Sequence, residues 1–299
     1  MKILVLEGGD SNEREISFRS SKSVKKALKE LGHELIVHDP KDGTNKLKDY
    51  KGKVDIVFPI LHGGIGENGG IQKILEKHGF KYLGADSESS TICFYKPNFK
   101  KVLSKSDIVL PGGEVVNKSS IRKSNYLKKP FVLKPIGGGS SVDVFIVRDP
   151  NNIPGELFEA LDRYDEMLIE ELIDGVEITV PVLGKRALPV IEIIPPVNEE
   201  FDFENKYNGK TKELCPPENV SKKLQKDAQA IAENVHNTLK VRHLSRTDMI
   251  ITPDGKIYVI ELNTMPGLTD QSLFPKAAKQ DGMDMKALVS EFVKLANEK

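Results

Sequence analysis

The chain has 299 residues, 44 of them basic and 44 acidic, so its formal net charge at pH 7 is zero. This balance excludes a net electrostatic attraction to nucleic acid or to a membrane surface, and no apolar run is long enough to cross a bilayer. The length allows two or three compact units with a large buried core, and 38% hydrophobic with 29% charged residues is typical of a soluble globular protein.

The amino terminus and the cysteines indicate a cytoplasmic protein. The apolar stretch at the start of the chain soon gives way to acidic residues and glycines, so it is inadequate for a signal peptide. Cys93 and Cys215 form no metal-binding spacing and are predicted to be reduced thiols.

The first third of the chain alternates strand and helix patterns. We predict strands at 3–6, 35–37 and 54–60, and a helix over 20–31 that Gly32 ends. This order favours an open parallel sheet, whose ligands bind beyond the carboxyl ends of the strands. The loops at those ends, 7–15 and 61–70, are therefore the candidate binding loops.

Neither loop identifies its ligand by itself. Gly8 and Gly9 lack the spacing of a dinucleotide fingerprint. Glu13 and its charged neighbours could be the first turn of a helix or could bind a cation. The glycine-dense segment 61–69 can bring backbone close to a small ligand, and its His62 is either structural or catalytic.

The middle third contains a glycine loop between two predicted strands. We predict strands at 131–135 and 144–147, with a flexible loop at 136–142 and a link between two units around 87–96. Such a loop can fold over phosphates and donate backbone N–H groups, with Lys134 as a point charge. A further strand at 167–173 precedes a turn and Glu177, and its acidic residues could equally form a charged hairpin edge.

The last third begins with β-prone segments at 178–183 and 187–194. Residues 195–219 then show no regular apolar period, and a loop of this length inside a compact domain is typically a functional lid or is disordered. Its aromatic residues favour a packed Ω-loop. Ser221 is predicted to cap one helix, and Asp284 begins another at the end of the chain.

Residues 246–272 read as a β-hairpin followed by a polar loop. A two-residue turn at Asp254 and Gly255 would place Asp248 directly opposite Glu261, whereas Pro253 could favour a type I turn with a bulge and shift the register by one. Paired carboxylates at about 4.5–5.5 Å repel each other, and a hard divalent cation such as Mg²⁺ would turn that repulsion into a binding site. The alternative is an ordinary solvated hairpin.

Four segments, 8–17, 136–142, 201–207 and 261–269, resemble the D-alanine–D-alanine ligases of the ATP-grasp family in that family's order, and the resemblance runs nearly from end to end. It implies an α/β fold with α+β later domains, in which an amino-terminal open parallel sheet precedes two α+β units that clasp ATP. The implied units are an amino-terminal substrate domain at 1–95, a central domain with the glycine loop at 96–178, and a carboxyl-terminal domain with the lid and metal site at 179–299.

The same resemblance implies a role for individual residues. The implied catalytic residues are Glu13, Ser140, Tyr207, Arg246 and Gly267. The implied substrate-binding residues are Glu13, His62, Lys206, Ser272 and Leu273. ATP would be bound by Lys96, Lys134, Ser140, Ser141, Glu170, Glu171, Ile173 and Glu177. Two Mg²⁺ or Mn²⁺ ions would be held by Asp248, Glu261 and Asn263.

The implied activity is the ATP-dependent joining of two D-alanine molecules for peptidoglycan precursor synthesis, by a cytoplasmic homodimer. One alternative is a sister ligase that uses D-lactate or D-serine as the second substrate. Another is an ATP-binding homologue without ligase activity, because Asp143 stands where the family pattern has glycine. Strand alternation predicts that the Asp143 side chain points away from the phosphates. A plain sugar- or amino-acid-binding module is the third alternative.

Overall fold

The computed structural model describes residues 1–139, 142–196 and 210–298. Three parallel strands, in the order β2-β1-β3, form the amino-terminal sheet. They are β1 (Lys2–Leu6), β2 (Glu34–His38) and β3 (Ile56–Pro59), and helix α1 (Arg14–Glu30) connects the first two. The predicted parallel sheet is confirmed.

Four helices follow this sheet and lead to the second one. They are α2 (Gly64–Glu67), α3 (Gly70–Lys77), α4 (Ser87–Phe94) and α5 (Lys96–Leu103). The predicted link around 87–96 is therefore helical, with the Asp86 side chain capping α4. Short 3₁₀ helices lie at Pro40–Asp42, Thr44–Tyr50, Ile121–Lys123 and Asn125–Lys128.

The second sheet is antiparallel and has the strand order β4-β7-β5-β6. Its strands are β4 (Gly113–Val116), β5 (Phe131–Pro135), β6 (Phe145–Val147) and β7 (Met167–Glu171), and helix α6 spans Gly155–Arg163. Apolar residues of β5 and β7, including Phe131 and Ile169, form one core with Leu157 of α6.

The third sheet, also antiparallel, has the order β11-β10-β8-β12-β13, with β9 paired to β8. Its strands are β8 (Val176–Leu183), β9 (Arg186–Ala187), β10 (Ile191–Ile194), β11 (Lys212–Leu214), β12 (Leu244–Ile251) and β13 (Ile257–Asn263). The helices of this region are α7 (Lys222–Thr238), α8 (Leu273–Gln280) and α9 (Met285–Asn297). Ser221 and Asp284 cap α7 and α9 through hydrogen bonds to backbone N–H groups, as predicted.

Two segments differ from the predictions. Strand β11 lies inside the predicted loop 195–219 and pairs with β10, since a three-residue strand is too short to show a period. Helix α1 begins at Arg14 rather than at residue 20. Its buried face there is Ser17, Ser20 and Ser21, which are all fully buried, so the apolar period is interrupted where the helix packs against loops.

The hairpin of β12 and β13 confirms the predicted pairing of Asp248 with Glu261, but through two opposite shifts of register. Thr252 and Lys256 close a three-residue turn in which Gly255 has a φ of +85°, and this turn shifts the register by one residue. A β-bulge at Ile260, the unpaired residue of β13, restores it. Glu261 therefore shares the sheet face of Asp248.

One hydrophobic core joins the two ends of the chain. Ile3 and Val5 of β1 and Leu28 of α1 pack with Phe274 of α8 and Phe292 of α9. This packing holds α1 against the loop that follows β13, which brings the loops at the sheet edges together. Within the described ranges, no helix is long and apolar enough to cross a membrane.

His236 of α7 should make the protein sensitive to acid. Its ring is 2% exposed and lies 2.7 Å from the Ser245 hydroxyl. Burial lowers the pKa of His236 to about 4. The unfolded chain binds this proton below about pH 6.5 whereas the folded chain does not, so stability falls as the pH drops from 6.5 towards 4.

We expect this histidine to reduce the free energy of unfolding by about 2 kcal/mol between pH 7.5 and pH 5.0. Urea unfolding at the two pH values, in the parent and in His236→Gln, measures the contribution. Between pH 7.5 and pH 5.0 the parent should lose more free energy of unfolding than the variant. Equal losses would show that groups other than His236 cause the dependence on pH.

Candidate functional site

Two cavities meet between the three sheets. The first has a volume of about 1200 Å³ and is lined by α1, β12, β13 and the start of α8. The second has a volume of about 910 Å³ and is lined by the second and third sheets. Glu13, Gly139 and Glu261 line both cavities, so a group bound in one can reach a group bound in the other.

The first cavity brings together eight residues that the sequence singled out from four separate parts of the chain. They are Glu13, His62, Arg246, Glu261, Asn263, Gly267, Ser272 and Leu273. Seven further predicted site residues line the second cavity: Lys96, Lys134, Glu170, Glu171, Ile173, Glu177 and Asp248. Glu13 and Glu261 of the first set line the second cavity as well. Ser140, Ser141, Lys206 and Tyr207 lie outside the described residues.

Glu13 immediately precedes α1, and its loop is fastened on both sides. Arg14 forms an ion pair with Asp39 at 2.6 Å and donates to the Gly9 carbonyl. Burial would raise the pKa of Asp39, but hydrogen bonds from Arg14 and two backbone N–H groups bring it below its ordinary value. Gly63, with a φ of +65°, faces Glu13, and a Cβ there would lie 2.8 Å from Glu13 Oε2. The loop therefore requires glycine beside the carboxylate.

His62 is 4% exposed and connects three segments. Its Nε2 lies 3.0 Å from the Ser20 hydroxyl, and its Nδ1 lies 3.8 Å from Glu67 Oε1. Ser20 Oγ also accepts a hydrogen bond of 3.2 Å from the Leu268 N–H. Ser20 therefore connects the His62 ring to the loop that contains Gly267, a link that the sequence analysis missed.

Ser272 and Gly267 form a tight turn before α8. A Cβ at Gly267 would lie 2.8 Å from Ser272 Oγ, so the turn has no room for a larger residue. The Ser272 hydroxyl accepts from the Thr269 N–H at 3.1 Å and contacts the Thr269 hydroxyl at 2.8 Å. Both the Gly267 backbone and Ser272 are thus fixed at the wall of the first cavity.

The hairpin of β12 and β13 places four polar side chains close together. Asp248 is directly opposite Glu261, and Arg246 is opposite Asn263. Arg246 binds Asp248 in bidentate fashion, with Nε and Nη2 at 2.9 and 2.8 Å from the two carboxylate oxygens. Asn263 Oδ1 accepts from the Met265 N–H at 2.8 Å, which fixes the amide while leaving its second lone pair.

This set of donors fits a hard divalent cation. Two carboxylates and one amide oxygen on one sheet face are ligands that Mg²⁺ prefers, and opposed carboxylates are stabilised by a positive charge between them. Among the residues that the structure describes, no group of three His, Cys, Asp or Glu side chains could hold a metal ion.

Lys96 and the glycine loop are joined at the edge of the second cavity. The Lys96 N–H donates to the Ile136 carbonyl and its Nζ to the Gly138 carbonyl, both at 2.8 Å. Lys96 is 9% exposed. It therefore fixes the first half of the loop and places an ammonium group beside it.

Lys134 lies on β5 and forms an ion pair with Glu170 of β7 at 2.5 Å. Lys100 of α5 contacts the other Glu170 carboxylate oxygen. Burial would raise the pKa of Glu170, which is 4% exposed, but the two ammonium groups outweigh it and the pKa lies below its ordinary value. Lys100 was not predicted as a site residue, because a lysine in a charged helix gives no signal in the sequence.

The strand edge beyond Glu170 supplies backbone groups. The Glu171 carboxylate accepts from the Gly112 N–H at 2.7 Å, and the Glu171 N–H donates to the Gly112 carbonyl at 2.9 Å. The side chain of Glu171 therefore serves the fold. In the described parts of the chain no hydrogen-bond acceptor is found for the Ile173 N–H, which lies at the second cavity.

Asp143 points away from the loop, as predicted, although the predicted reason is wrong. It lies in a turn before β6 with a φ of +53°, not on a strand. Its carboxylate accepts from Arg163 Nη2 at 2.7 Å and from the Tyr164 hydroxyl at 2.6 Å. Asp143 thus binds the end of α6, and Arg163 and Tyr164 take up its carboxylate.

The family resemblance implies that this loop covers ATP, and on that basis we expect Asp143→Ala to raise the KM for ATP about tenfold, because alanine in the left-handed region costs about 1–2 kcal/mol and loses both contacts. Asp143→Gly loses the same contacts without the backbone cost, so its KM should rise less than in Asp143→Ala. Steady-state kinetics with varied ATP tests the pair. Equal KM values in the two variants would mean that the backbone conformation at 143 does not matter.

The whole chain is similar to proteins of one family. A family model described as D-ala D-ala ligase C-terminus matches residues 102–294, and one described as D-ala D-ala ligase N-terminus matches residues 38–85. The D-alanine–D-alanine ligase of Aquifex aeolicus is 37% identical over 97% of this chain and 99% of its own length.

Two solved structures are also similar. The D-alanine–D-alanine ligase of Bacillus anthracis complexed with ATP has a TM-score of 0.85 at 28% identity, over 99% of this chain and 97% of that one. The VanG D-Ala:D-Ser ligase of Enterococcus faecalis has a TM-score of 0.83 at 26% identity, over 99% of both chains.

Proposed function

This chain belongs to the D-alanine–D-alanine ligase family, and we propose that its second cavity binds ATP while its first binds two D-alanine molecules. The protein is an ATP-dependent ligase of the ATP-grasp fold that forms D-alanyl-D-alanine for peptidoglycan precursor synthesis. The observation that supports the placement of the substrates is the wall that the two cavities share at Glu13, Gly139 and Glu261. At this wall, the terminal phosphate of ATP in the second cavity would lie next to the carboxylate of D-alanine in the first cavity.

In the proposed ATP site, Lys96 and Lys134 bind the phosphates together with Ser140 and Ser141 of the glycine loop. Glu170 accepts a hydrogen bond from the adenine amino group, and the backbone of Glu171 and Ile173 contacts the edge of the base. Glu177 of β8 binds the ribose hydroxyls. The positions of Lys96 and Lys134 support this assignment, because both lysines line the second cavity and the Lys96 ammonium group donates to the Gly138 carbonyl of the glycine loop.

In the proposed amino-acid site, Glu13 binds the ammonium group of the first D-alanine by a charge-assisted hydrogen bond. His62 lies near the carboxylate of that substrate. Ser272 and Leu273 hold the second D-alanine, and for residues outside the described ranges the family resemblance adds Lys206 to this task and gives Tyr207 a role in closing the lid. Both Glu13 and Ser272 have backbone positions that neighbouring hydrogen bonds fix.

The proposed reaction has two steps. The carboxylate of the first D-alanine attacks the γ-phosphorus of ATP, ADP leaves, and an acyl phosphate forms. The deprotonated amine of the second D-alanine then attacks the acyl carbon, and phosphate leaves from the tetrahedral intermediate. Arg246 and the two lysines offset the repulsion between carboxylate and triphosphate, while the Gly267 N–H stabilises the oxyanion.

Asp248, Glu261 and Asn263 would hold two Mg²⁺ or Mn²⁺ ions beside the phosphates. When bound, the ions neutralise the charge of the phosphates and orient them for in-line transfer. The register of the hairpin supports this site, because it places the Asp248 and Glu261 carboxylates directly opposite each other on one sheet face.

A D-lactate or D-serine acceptor is not favoured, since the relatives at 33–37% identity are D-alanine–D-alanine ligases. Phosphate release from ATP tests the choice directly. D-alanine should stimulate release and yield the dipeptide, whereas L-alanine should leave release at the level without amino acid. Faster turnover with D-lactate than with D-alanine as acceptor at neutral pH would overturn the assignment.

The organisation of the chain is also part of the proposal. Three units at 1–95, 96–178 and 179–299 each contain most of one sheet, and the last boundary falls within β8. The protein would act in the cytoplasm as a homodimer that associates through its amino-terminal unit. Sedimentation velocity of the full chain would give a single species of twice the chain mass, and a monomer at micromolar concentration would contradict it.

A further inference from the structure

Lys100 has no assigned role, yet it contacts a residue of the proposed ATP site. Its ammonium group binds one oxygen of the Glu170 carboxylate and donates to the Pro111 carbonyl at 2.6 Å. The Lys100 side chain is 19% exposed, whereas the Glu170 side chain is 6% exposed. Lys100 does not line the second cavity, although Glu170 and Pro111 do.

Glu170 has a second ammonium partner with a different position. Lys134 binds the other carboxylate oxygen at 2.5 Å and lines the second cavity. In the proposed function Lys134 also binds phosphate, so ATP competes with Glu170 for its ammonium group. Lys100 has no such competitor, because it lies behind the cavity wall and is held by the Pro111 carbonyl.

The charge of Glu170 determines what base it can recognise. An ionised carboxylate can only accept hydrogen bonds, so it matches the 6-amino group of adenine, which donates, and not the 6-oxo group of hypoxanthine, which is itself an acceptor. A buried carboxylate stays ionised only when it is paired. The charged groups that face Glu170 are Lys134 from β5 and Lys100 from α5, and its cross-strand neighbours Gly113 and Val132 carry no charge.

We propose that Lys100 is a positioning residue that holds the Glu170 carboxylate as an ionised acceptor when ATP draws Lys134 to the phosphates, and so sets the preference for adenine over 6-oxopurine nucleotides. This inference rests on the proposed ATP site. It assigns the two oxygens of one carboxylate to two lysines with separate tasks. Lys134 pairs with the phosphates of ATP, and Lys100 holds the Glu170 carboxylate in position to accept from the base.

The test compares ATP with ITP, which has the 6-oxo base. Lys100→Met should lower kcat/KM for ATP about 10- to 100-fold, the value of a hydrogen bond to a charged group, mainly through KM. The same variant should change kcat/KM for ITP much less, so the ratio of kcat/KM for ATP to kcat/KM for ITP should fall. Lys100→Arg should restore the ATP preference, and Lys101→Met, an exposed neighbour on α5, should match the parent.

An equal loss with both nucleotides, or no loss with ATP, would overturn the inference. Calorimetric binding of ADP and IDP to the full-length parent and variants gives the same comparison without turnover. A parent that binds ADP but does not release phosphate with D-alanine would refute the proposed function and leave the role of Lys100 testable. If Lys100→Met does not fold, Lys100→Gln replaces it in both measurements.

Discussion

Replacing Glu261 with glutamine is expected to lower kcat for dipeptide formation about 10³-fold, which corresponds to about 4 kcal/mol of activation free energy. Glutamine keeps the size of the side chain and its place opposite Asp248 but removes one of two carboxylates from the proposed metal site. The Mg²⁺ concentration for half-maximal activity should rise at the same time. Initial rates over a Mg²⁺ titration measure both effects.

The same variant should not lose stability. The carboxylates of Asp248 and Glu261 repel each other across the ladder, so a neutral side chain removes an unfavourable term from the folded state. The melting temperature without divalent cations should therefore equal or exceed that of the parent. Asp254→Asn changes a carboxylate in the turn of the same hairpin and should leave activity near the parent value. Parental activity in Glu261→Gln across the titration would remove Glu261 from the metal site.

Ser20→Ala is expected to lower kcat/KM for D-alanine about 10- to 100-fold, because it leaves a buried N–H group unsatisfied. The hydroxyl accepts from the Leu268 N–H and contacts His62, so its loss releases the ring and the loop beside Gly267 together. Steady-state kinetics in D-alanine measures the effect.

Ser21→Ala is the matched control for this position. Ser21 is the next residue of α1, is equally buried, and bonds to Glu7 rather than to the cavity wall. Both variants should lose similar stability, but only Ser20→Ala should lose activity. Equal losses of activity would show that α1 tolerates neither change for structural reasons and that the link to His62 has no separate role.

Much of the architecture could be predicted from local sequence signals. The three strands of the first sheet, the caps at Ser221 and Asp284 and the strand before the glycine loop all follow from apolar runs and capping residues. The start of α1 could not be predicted in this way, because serines replace the apolar residues on its buried face. Those serines bind loops, and their partners are distant in the sequence.

The proposed site residues also fall into those that a local pattern predicts and those whose partners are distant in the sequence. The hairpin pattern predicts Asp248 and Glu261 as partners, and they lie directly opposite each other. Ser20 and Lys100 contact residues that lie 42 and 70 positions away in the sequence, and no pattern of spacing marks either residue. The hairpin register depends on a three-residue turn and on the bulge at Ile260, which shift it in opposite directions. The sequence is compatible with both features but does not require either.

The bulge in β13 lies at the proposed nucleotide and cation sites. Ile260, the residue of β13 without a partner on β12, and Glu261 both line the second cavity. An apolar residue thus lies next to a carboxylate at one cavity wall. Deleting Ile260 would return an uninterrupted ladder with Glu261 still facing Asp248. Loss of a single codon would therefore remove an apolar residue from the proposed nucleotide site and keep the two carboxylates of the proposed metal site opposite each other.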